Sequence, residues 1–323
     1  MKFYLAPMEG ITGYIYRNAY HQTFLPMDKY FSPFLAPNQS RSLKTRELQD
    51  ILPENNPGIP LVPQILTNQW EDFVWATEKL RELGYQEVNL NLGCPSRTVT
   101  AKGRGAGFLA NPEGLDRFLD NIFSRSTAEI SIKTRLGIKD PAEFERLMEI
   151  YSQYPLKELI IHPRVREDYY KNLPNLAAFA RGAVSSSCPV CYNGDIFTQK
   201  DFREIETRFP QISAVMLGRG ILKNPMLLEE IAGENRREGS AGRTSEEKCR
   251  LRRFHDKIYT GYQRIMSGER NTLFKMKELW TYLGSAFEGG ERYKKKIKKA
   301  ERLKDYENAV GALFEECTLI GKN

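Results

Sequence analysis

NLNLGCPSRTVTAKGRGAGF, residues 89–108, is the stretch from which this chain is best approached. An alternating run, Glu87–Leu92, stops at Gly93-Cys94, Pro95 follows at once, and a glycine-rich loop then carries Lys102 and Arg104. Alternation with a period of two predicts a strand, and proline directly beyond it predicts that the strand ends there. Glycines 103, 105 and 107 do not have the spacing of a P-loop or of a dinucleotide fingerprint. A strand therefore delivers a thiol into a basic loop.

Seven more short apolar or alternating runs flank this one: 3–6, 30–35, 61–66, 130–135, Glu158–His162, 189–193 and 214–218. Between most of them lie stretches of helical periodicity, at 68–83, 111–123, 141–151, 175–183 and 198–209. The second of these opens Asn111-Pro112-Glu113, a helix start. Eight strands alternating with helices over about 230 residues predict a parallel (β/α)₈ TIM barrel, with an open doubly wound sheet as the alternative. After Leu228 the texture changes. Residues 234–242 are polar and contain glycine, as a linker would, and 246–266, 272–286 and 292–314 read as long helices. The expected organisation is an α/β barrel over 1–235 followed by a small all-helical domain over 244–323.

The chain has 323 residues, 41% hydrophobic and 28% charged, an ordinary soluble composition. No run of ~18 apolar residues suggests a membrane span, and MKFYLAPMEG lacks the apolar core of a secretory leader. Five cysteines, an odd number, argue for reduced thiols and a cytoplasmic protein rather than a disulfide frame. The net charge of +7 is unevenly spread: residues 244–323 hold 18 Lys/Arg against 12 Asp/Glu, leaving 30 against 29 elsewhere. The surplus is densest in Arg292-Tyr-Lys-Lys-Lys-Ile-Lys-Lys. Such a run is either a solvated helical face or a surface for a phosphate backbone.

In a barrel of this type the site lies where strands end. The ends here read Ala6-Pro7-Met8-Glu9-Gly10, Pro63-Gln64, Asn91-Leu92-Gly93-Cys94, Lys133-Thr134-Arg135, His162-Pro163-Arg164, Asn193-Gly194-Asp195 and Gly218-Arg219-Gly220. Singly, each is as easily a loop or a satisfied core residue; together on one rim they point to a site. Glycine turns after the last two strands supply backbone amides of the kind that hold a phosphate, with 221–229 as a short helix beside them.

These blocks, in this order and spacing over roughly residues 3–230, resemble the signature of the tRNA-dihydrouridine synthase family. The resemblance implies an FMN-bearing barrel, a C-terminal helical RNA-binding domain, and reduction of particular uridines in RNA, most often tRNA, with NADPH or NADH as electron donor. It gives the thiol a purpose. Reducing C5=C6 of uracil needs a hydride at C6 and a proton at C5, and a thiol of ordinary pKa about 8.5 is a protonated acid at neutral pH. Cys94 matches the family's proton donor on a glycine-bearing loop that closes over the base. Pro7, Met8 and Glu9 match backbone along the flavin ring, Gln64 its pyrimidine edge, and Lys133 the region that becomes anionic on reduction. His162, Asn193, Gly194, Asp195, Gly218 and Arg219 match the phosphate site. Asn91 and Arg135 match substrate contacts, and the target base has to leave its stack. Val165 stands where the family has threonine, and Arg166-Glu-Asp-Tyr-Tyr matches poorly, which weakens the carry-over for that loop. No metal, membrane or obligate protein partner is implied.

Three rivals use the same residues. A cysteine hydrolase would take Cys94, His162 and Asn193 as nucleophile, base and orienter, leaving Lys133 and the glycine turns without a role. A small-molecule flavin oxidoreductase related to dihydroorotate dehydrogenase leaves the basic tail without one. A pure RNA binder leaves the rim unexplained. Cys188-Pro-Val-Cys191 reads as packing within a strand, having no second pair. Of Tyr282, Tyr293 and Tyr306, candidates for stacking on bases, at least two are expected in the core.

Overall fold

The structure, a computed structural model, describes residues 1–38, 40–233 and 245–321. The linker expected over 234–242 lies outside the described residues. Nine strands among them pair in parallel: β1 (Lys2–Leu5), β2 (Lys29–Phe31), β3 (Leu61–Val62), β4 (Gln64–Ile65), β5 (Glu87–Leu92), β6 (Glu129–Arg135), β7 (Glu158–His162), β8 (Val190–Tyr192) and β9 (Ala214–Leu217). They run in the order β3-β2-β1-β9-β8-β7-β6-β5-β4. The two ends of that sheet are halves of one segment, residues 61–65, so the sheet closes into a barrel of eight positions. The break falls at Pro63, which has no N–H to give the ladder, though its carbonyl accepts from the Asn89 N–H at 2.9 Å. All eight runs expected from the sequence are strands. The second stops early at Phe31, short of Pro33, and Leu35 rejoins the sheet only as a single bridge to Ile65.

Helices follow where periodicity placed them: Trp70–Glu82, Pro112–Arg125, Glu143–Tyr151, Leu176–Ser185 and Gln199–Arg208. Asn111 caps the second of these, its Oδ1 accepting from the Gly114 N–H at 3.0 Å, and Asn175 does the same for the fourth from Ala178 at 2.9 Å.

Strand alternation divides the barrel's side chains into two sets. Val88, Leu90, Leu92, Ile130 and Ile132 are buried on one side. Tyr4, Ala6, Phe31, Val62, Ile160, Cys191, Ala214 and Met216 cluster on the other, inside the barrel. Below them, toward the strands' N-terminal ends, Tyr4 donates to Glu158 at 2.9 Å and Lys29 pairs with Glu87 at 2.7 Å. Above them, the same alternation carries Asn91, Lys133, Arg135 and His162 to the C-terminal rim.

The chain forms two compact units. One comprises Met1–Pro7, Asp28–Asp195 and Arg208–Leu217 and contains every strand; the other comprises Met8–Met27, Ile196–Thr207 and the described part of Gly218–Asn323. In the second unit, Phe254 of the helix Ser245–Ile265 packs edge-on against Tyr16 and Phe24, at 5.4 and 5.2 Å between ring centroids. The single helix expected over 292–314 is two, Glu291–Lys299 and Leu303–Glu316. Ala300 and Arg302 adopt extended backbone between them, and the second helix folds back on the first. That turn delivers Tyr306 to the core, where its hydroxyl meets Trp280 Nε1 at 2.8 Å and His255 Nε2 at 2.5 Å. Tyr293 and Tyr306 are buried and Tyr282 is half-buried, as the core reading expected.

Candidate active site

The rim is built by register. Parallel pairing sets Gln64 beside Asn89, Asn91 beside Lys133, and Arg135 beside His162. Gln64, Asn89 and Asn91 are all buried, so each amide has to find partners inside the protein. They find one another: Asn91 Nδ2 donates to Gln64 Oε1 at 2.7 Å, and Gln64 Nε2 donates to Asn89 Oδ1 at 2.8 Å. Asn89 Nδ2 then donates to Ser131 Oγ at 3.0 Å, whose hydroxyl donates to Glu87 at 2.9 Å. Asn89, given no role by the sequence, is thus the middle of a ladder.

Cys94 is half-buried just beyond β5. Its loop is packed: Arg97–Thr100 is helical, Gly105–Ala110 is a 3-10 turn, and Val99, Ala106, Phe108 and Leu109 are buried. Gly105 adopts a φ of +57°, and a Cβ there would lie 2.9 Å from the Cys94 carbonyl oxygen. The glycine is therefore what allows the loop to close against the cysteine's backbone.

Lys133 is half-buried on β6, and among the described residues its ammonium has no hydrogen-bond or ion-pair partner. Burial, with Arg135 nearby, pushes its pKa down to about 8, while Cys191 and Cys94 act weakly the other way. An unpartnered cation held in a barrel mouth is suited to a ligand that carries or develops negative charge.

Arg135 is 1% exposed. Its Nε donates to the Gly93 carbonyl at 2.9 Å, and its two terminal nitrogens donate to the carbonyls of Val165 and Tyr169, each at 3.0 Å. Tyr170, given no role by the sequence reading, lies 5.5 Å from this guanidinium and 5.8 Å from the His162 ring, centroid to centroid. Nothing in the Arg-Glu-Asp-Tyr-Tyr run marked it out.

His162 lies beside a second arginine that sequence left unassigned. Arg164, buried, forms a two-point ion pair with Asp195 at 3.1 and 2.5 Å, and its NH1 also meets His162 Nε2 at 3.0 Å. An arginine donates only, so Nε2 is the acceptor and the ring is held neutral. This tells against the hydrolase reading, in which that imidazole would need an open nitrogen to take the thiol's proton. Asn193 Nδ2 donates to the Met216 carbonyl at 2.8 Å. Gly194 has no room for a side chain, since a Cβ would lie 2.0 Å from the Tyr192 hydroxyl.

Pro7 closes β1 in the same unit. Met8, Glu9, Gly218 and Arg219 belong to the second unit. There the Met8 N–H donates to Thr12 Oγ1 at 2.8 Å, and Gly10 turns with φ +82°. Lys275 of the helix Glu269–Leu283 donates to the Gly10 carbonyl at 2.6 Å. Gly218 precedes the short helix Arg219–Lys223, with the Arg219 guanidinium 5.5 Å from the Phe197 ring centroid. Cys191 lies in the barrel interior and burial raises its pKa well above the usual thiol value, which agrees with a packing role for the C-x-x-C pair.

A curated relative from Staphylococcus aureus (strain Mu50), named probable tRNA-dihydrouridine synthase, is 27% identical over 273 residues, covering 81% of this chain and 78% of its own. One from Cupriavidus necator, named tRNA-dihydrouridine(16) synthase, is 29% identical over 239 residues, covering 72% and 74%. Among solved structures, a variant of NCR from Zymomonas mobilis superposes with a TM-score of 0.51 at 12% identity, over 72% of this chain and 86% of that one. Histamine dehydrogenase from Rhizobium does so with 0.53 at 12% identity, over 89% and 51%. At such identities the structures speak for the fold alone. The family profile described as dihydrouridine synthase matches residues 4–318, nearly the whole chain, and the protein belongs to the dihydrouridine synthase family.

Proposed function

We propose that this chain reduces the C5=C6 bond of a uridine in tRNA to 5,6-dihydrouridine, acting in the cytoplasm. The observation that carries the reading is a half-buried thiol just beyond β5 together with, on the adjacent strand β6, a half-buried lysine that has no hydrogen-bond or ion-pair partner among the described residues. Family membership implies a flavin, and the residues present fit FMN: Lys133 offers an uncompensated cation for the ring, and Gly194 is a turn no side chain could enter. Pro7, Met8 and Glu9 would line the ring by their backbone, with Gln64 at the pyrimidine edge. His162, Asn193, Gly194, Asp195, Gly218 and Arg219 would surround the phosphate. A flavin held there would supply the hydride for C6, with NADPH or NADH as its reductant.

Everything else is the chain's own work. Cys94 Sγ holds the proton destined for C5, in a position the polypeptide keeps fixed. Lys133 favours negative charge facing it. Asn91, whose Oδ1 and one N–H are engaged within the protein, retains a second amide hydrogen for the base edge. The basic face of Glu291–Lys299 serves the RNA backbone.

The test is mass spectrometry of tRNA and rRNA fragments from cells with and without the gene. A uridine in tRNA should lose two hydrogens' mass when the gene is removed and regain it on complementation. Unchanged tRNA with an altered rRNA fragment would reassign the substrate, and unchanged RNA of both kinds would overturn the reading in favour of a small-molecule oxidoreductase.

A further inference from the structure

We propose that Asn91 and Arg135 act as positioning residues for Cys94, holding the Gly93-Cys94 turn from two sides; this rests on the reading of Cys94 as the proton donor. The turn has four backbone polar groups, and each is held. The N–H groups of Gly93 and Cys94 both donate to Asn91 Oδ1, at 3.1 and 2.9 Å. The Gly93 carbonyl accepts from Arg135 Nε at 2.9 Å, and the Cys94 carbonyl accepts from the Ala106 N–H at 3.0 Å.

Neither side chain is loose. Asn91 is anchored through Gln64 and Asn89 to Ser131, so its orientation is set by three strands. Arg135 spends its terminal nitrogens on the carbonyls of Val165 and Tyr169, tying the turn after β5 to the loop after β7. Tyr169 adopts φ +50°, a conformation that costs a non-glycine residue energy. The Arg135 bond to its carbonyl helps hold it there. A guanidinium that is 1% exposed, with all three nitrogens on backbone oxygens, is built as a strut. General acid catalysis is sensitive to such placement, because an error of about 1 Å in a reacting group costs on the order of 100-fold in rate.

The experiment uses flavin-loaded full-length protein carrying Arg135→Lys or Asn91→Ala, with flavin content and melting temperature confirming that each is folded. Arg135→Lys retains the charge but cannot span three carbonyls. In substrate-free protein, alkylation of Cys94 by iodoacetamide, followed on its peptide with the exposed Cys249 as internal reference, should accelerate roughly tenfold, the worth of about one hydrogen bond. In turnover, kcat should fall on the order of 100-fold for either variant, and for Arg135→Lys KM for tRNA should move less than about twofold. Cys94 alkylation at the wild-type rate, with kcat kept, would show that neither residue positions the thiol and overturn the proposal. The alkylation result stands whether or not wild-type protein reduces tRNA, so failure of the clamp and failure of the reaction assignment are distinguishable. The variants lie on different strands, and either one alone, if folded, decides the matter.

Discussion

Lys133 and Cys94 show how far single residues answer to their surroundings. Lysine at a strand end is ordinarily a solvated cation; here it is half-buried with no counter-charge among the described residues, and its pKa falls to about 8 from an ordinary 10.5. In flavin-free protein the folded chain then binds fewer protons at this site than the unfolded chain between those two values, so stability rises as pH climbs through the window. Lys133→Met should remove that rise and raise the melting temperature at pH 7, measured by thermal melts across pH 7 to 10. An unchanged slope would show that the lysine is solvated. For Cys94, substitution by alanine should leave flavin bound and lower product formation by roughly 100- to 10,000-fold, the usual range for a general acid. Turnover at the wild-type rate in Cys94→Ala would place the proton donor elsewhere. Both residues were legible in the sequence by type and position, yet neither Lys133's isolation nor the bonds around Cys94 could be read there.

Among the elements, the loop following β5 carries the clearest sequence signal and the largest change of meaning. Its glycines suggested mobility. In the fold they are used for close packing: Gly105 sits against Cys94 and Val99, and at Gly107 a Cβ would lie 2.6 Å from the Thr100 carbonyl oxygen. Gly105→Ala should therefore destabilise by about 1–2 kcal/mol from backbone conformation alone, and it should slow turnover by shifting Cys94. A combined measurement of urea unfolding and kcat checks this, and a fall in stability with kcat intact would separate the glycine from the thiol. The ladder Asn91–Gln64–Asn89–Ser131 illustrates what an element cannot reveal in isolation. Each polar residue reads as a candidate ligand along its own strand, but its partner is chosen by register with a strand some 25 or 42 residues away. Arg164 and Asp195, 31 residues apart, were missed as a pair for the same reason.

At the scale of the whole molecule, the helices beyond residue 244 are not an appendage. Phe254 shares a core with Tyr16 and Phe24, and Arg250 is paired with Glu229 and donates to the Thr23 carbonyl at 3.1 Å. Removing 244–323 would uncover that aromatic core, so surface variants are the sounder probe of RNA binding. Lys295, Lys296 and Lys299 line one wall of a groove of about 610 Å³ whose other side includes Ala309 and Ala312, with Glu301 and Asp305 also present. Replacing the three lysines by alanine should leave the melting temperature within about 2 °C, weaken tRNA binding, and reduce the slope of log affinity against log salt by up to about three. An unchanged salt slope would remove this face from the RNA contact. By itself the sequence determined the eight strand-forming runs, most of the helices between them, the chemistry-bearing residues at the strand ends and the family, because periodicity and residue type are local properties. Only the tertiary structure decided which rim residues bond to one another. It also decided that Met8–Met27 joins the C-terminal helices in one compact unit. Hydrogen-bond partners and shared cores depend on barrel closure and strand register, which bring together groups that no local pattern connects.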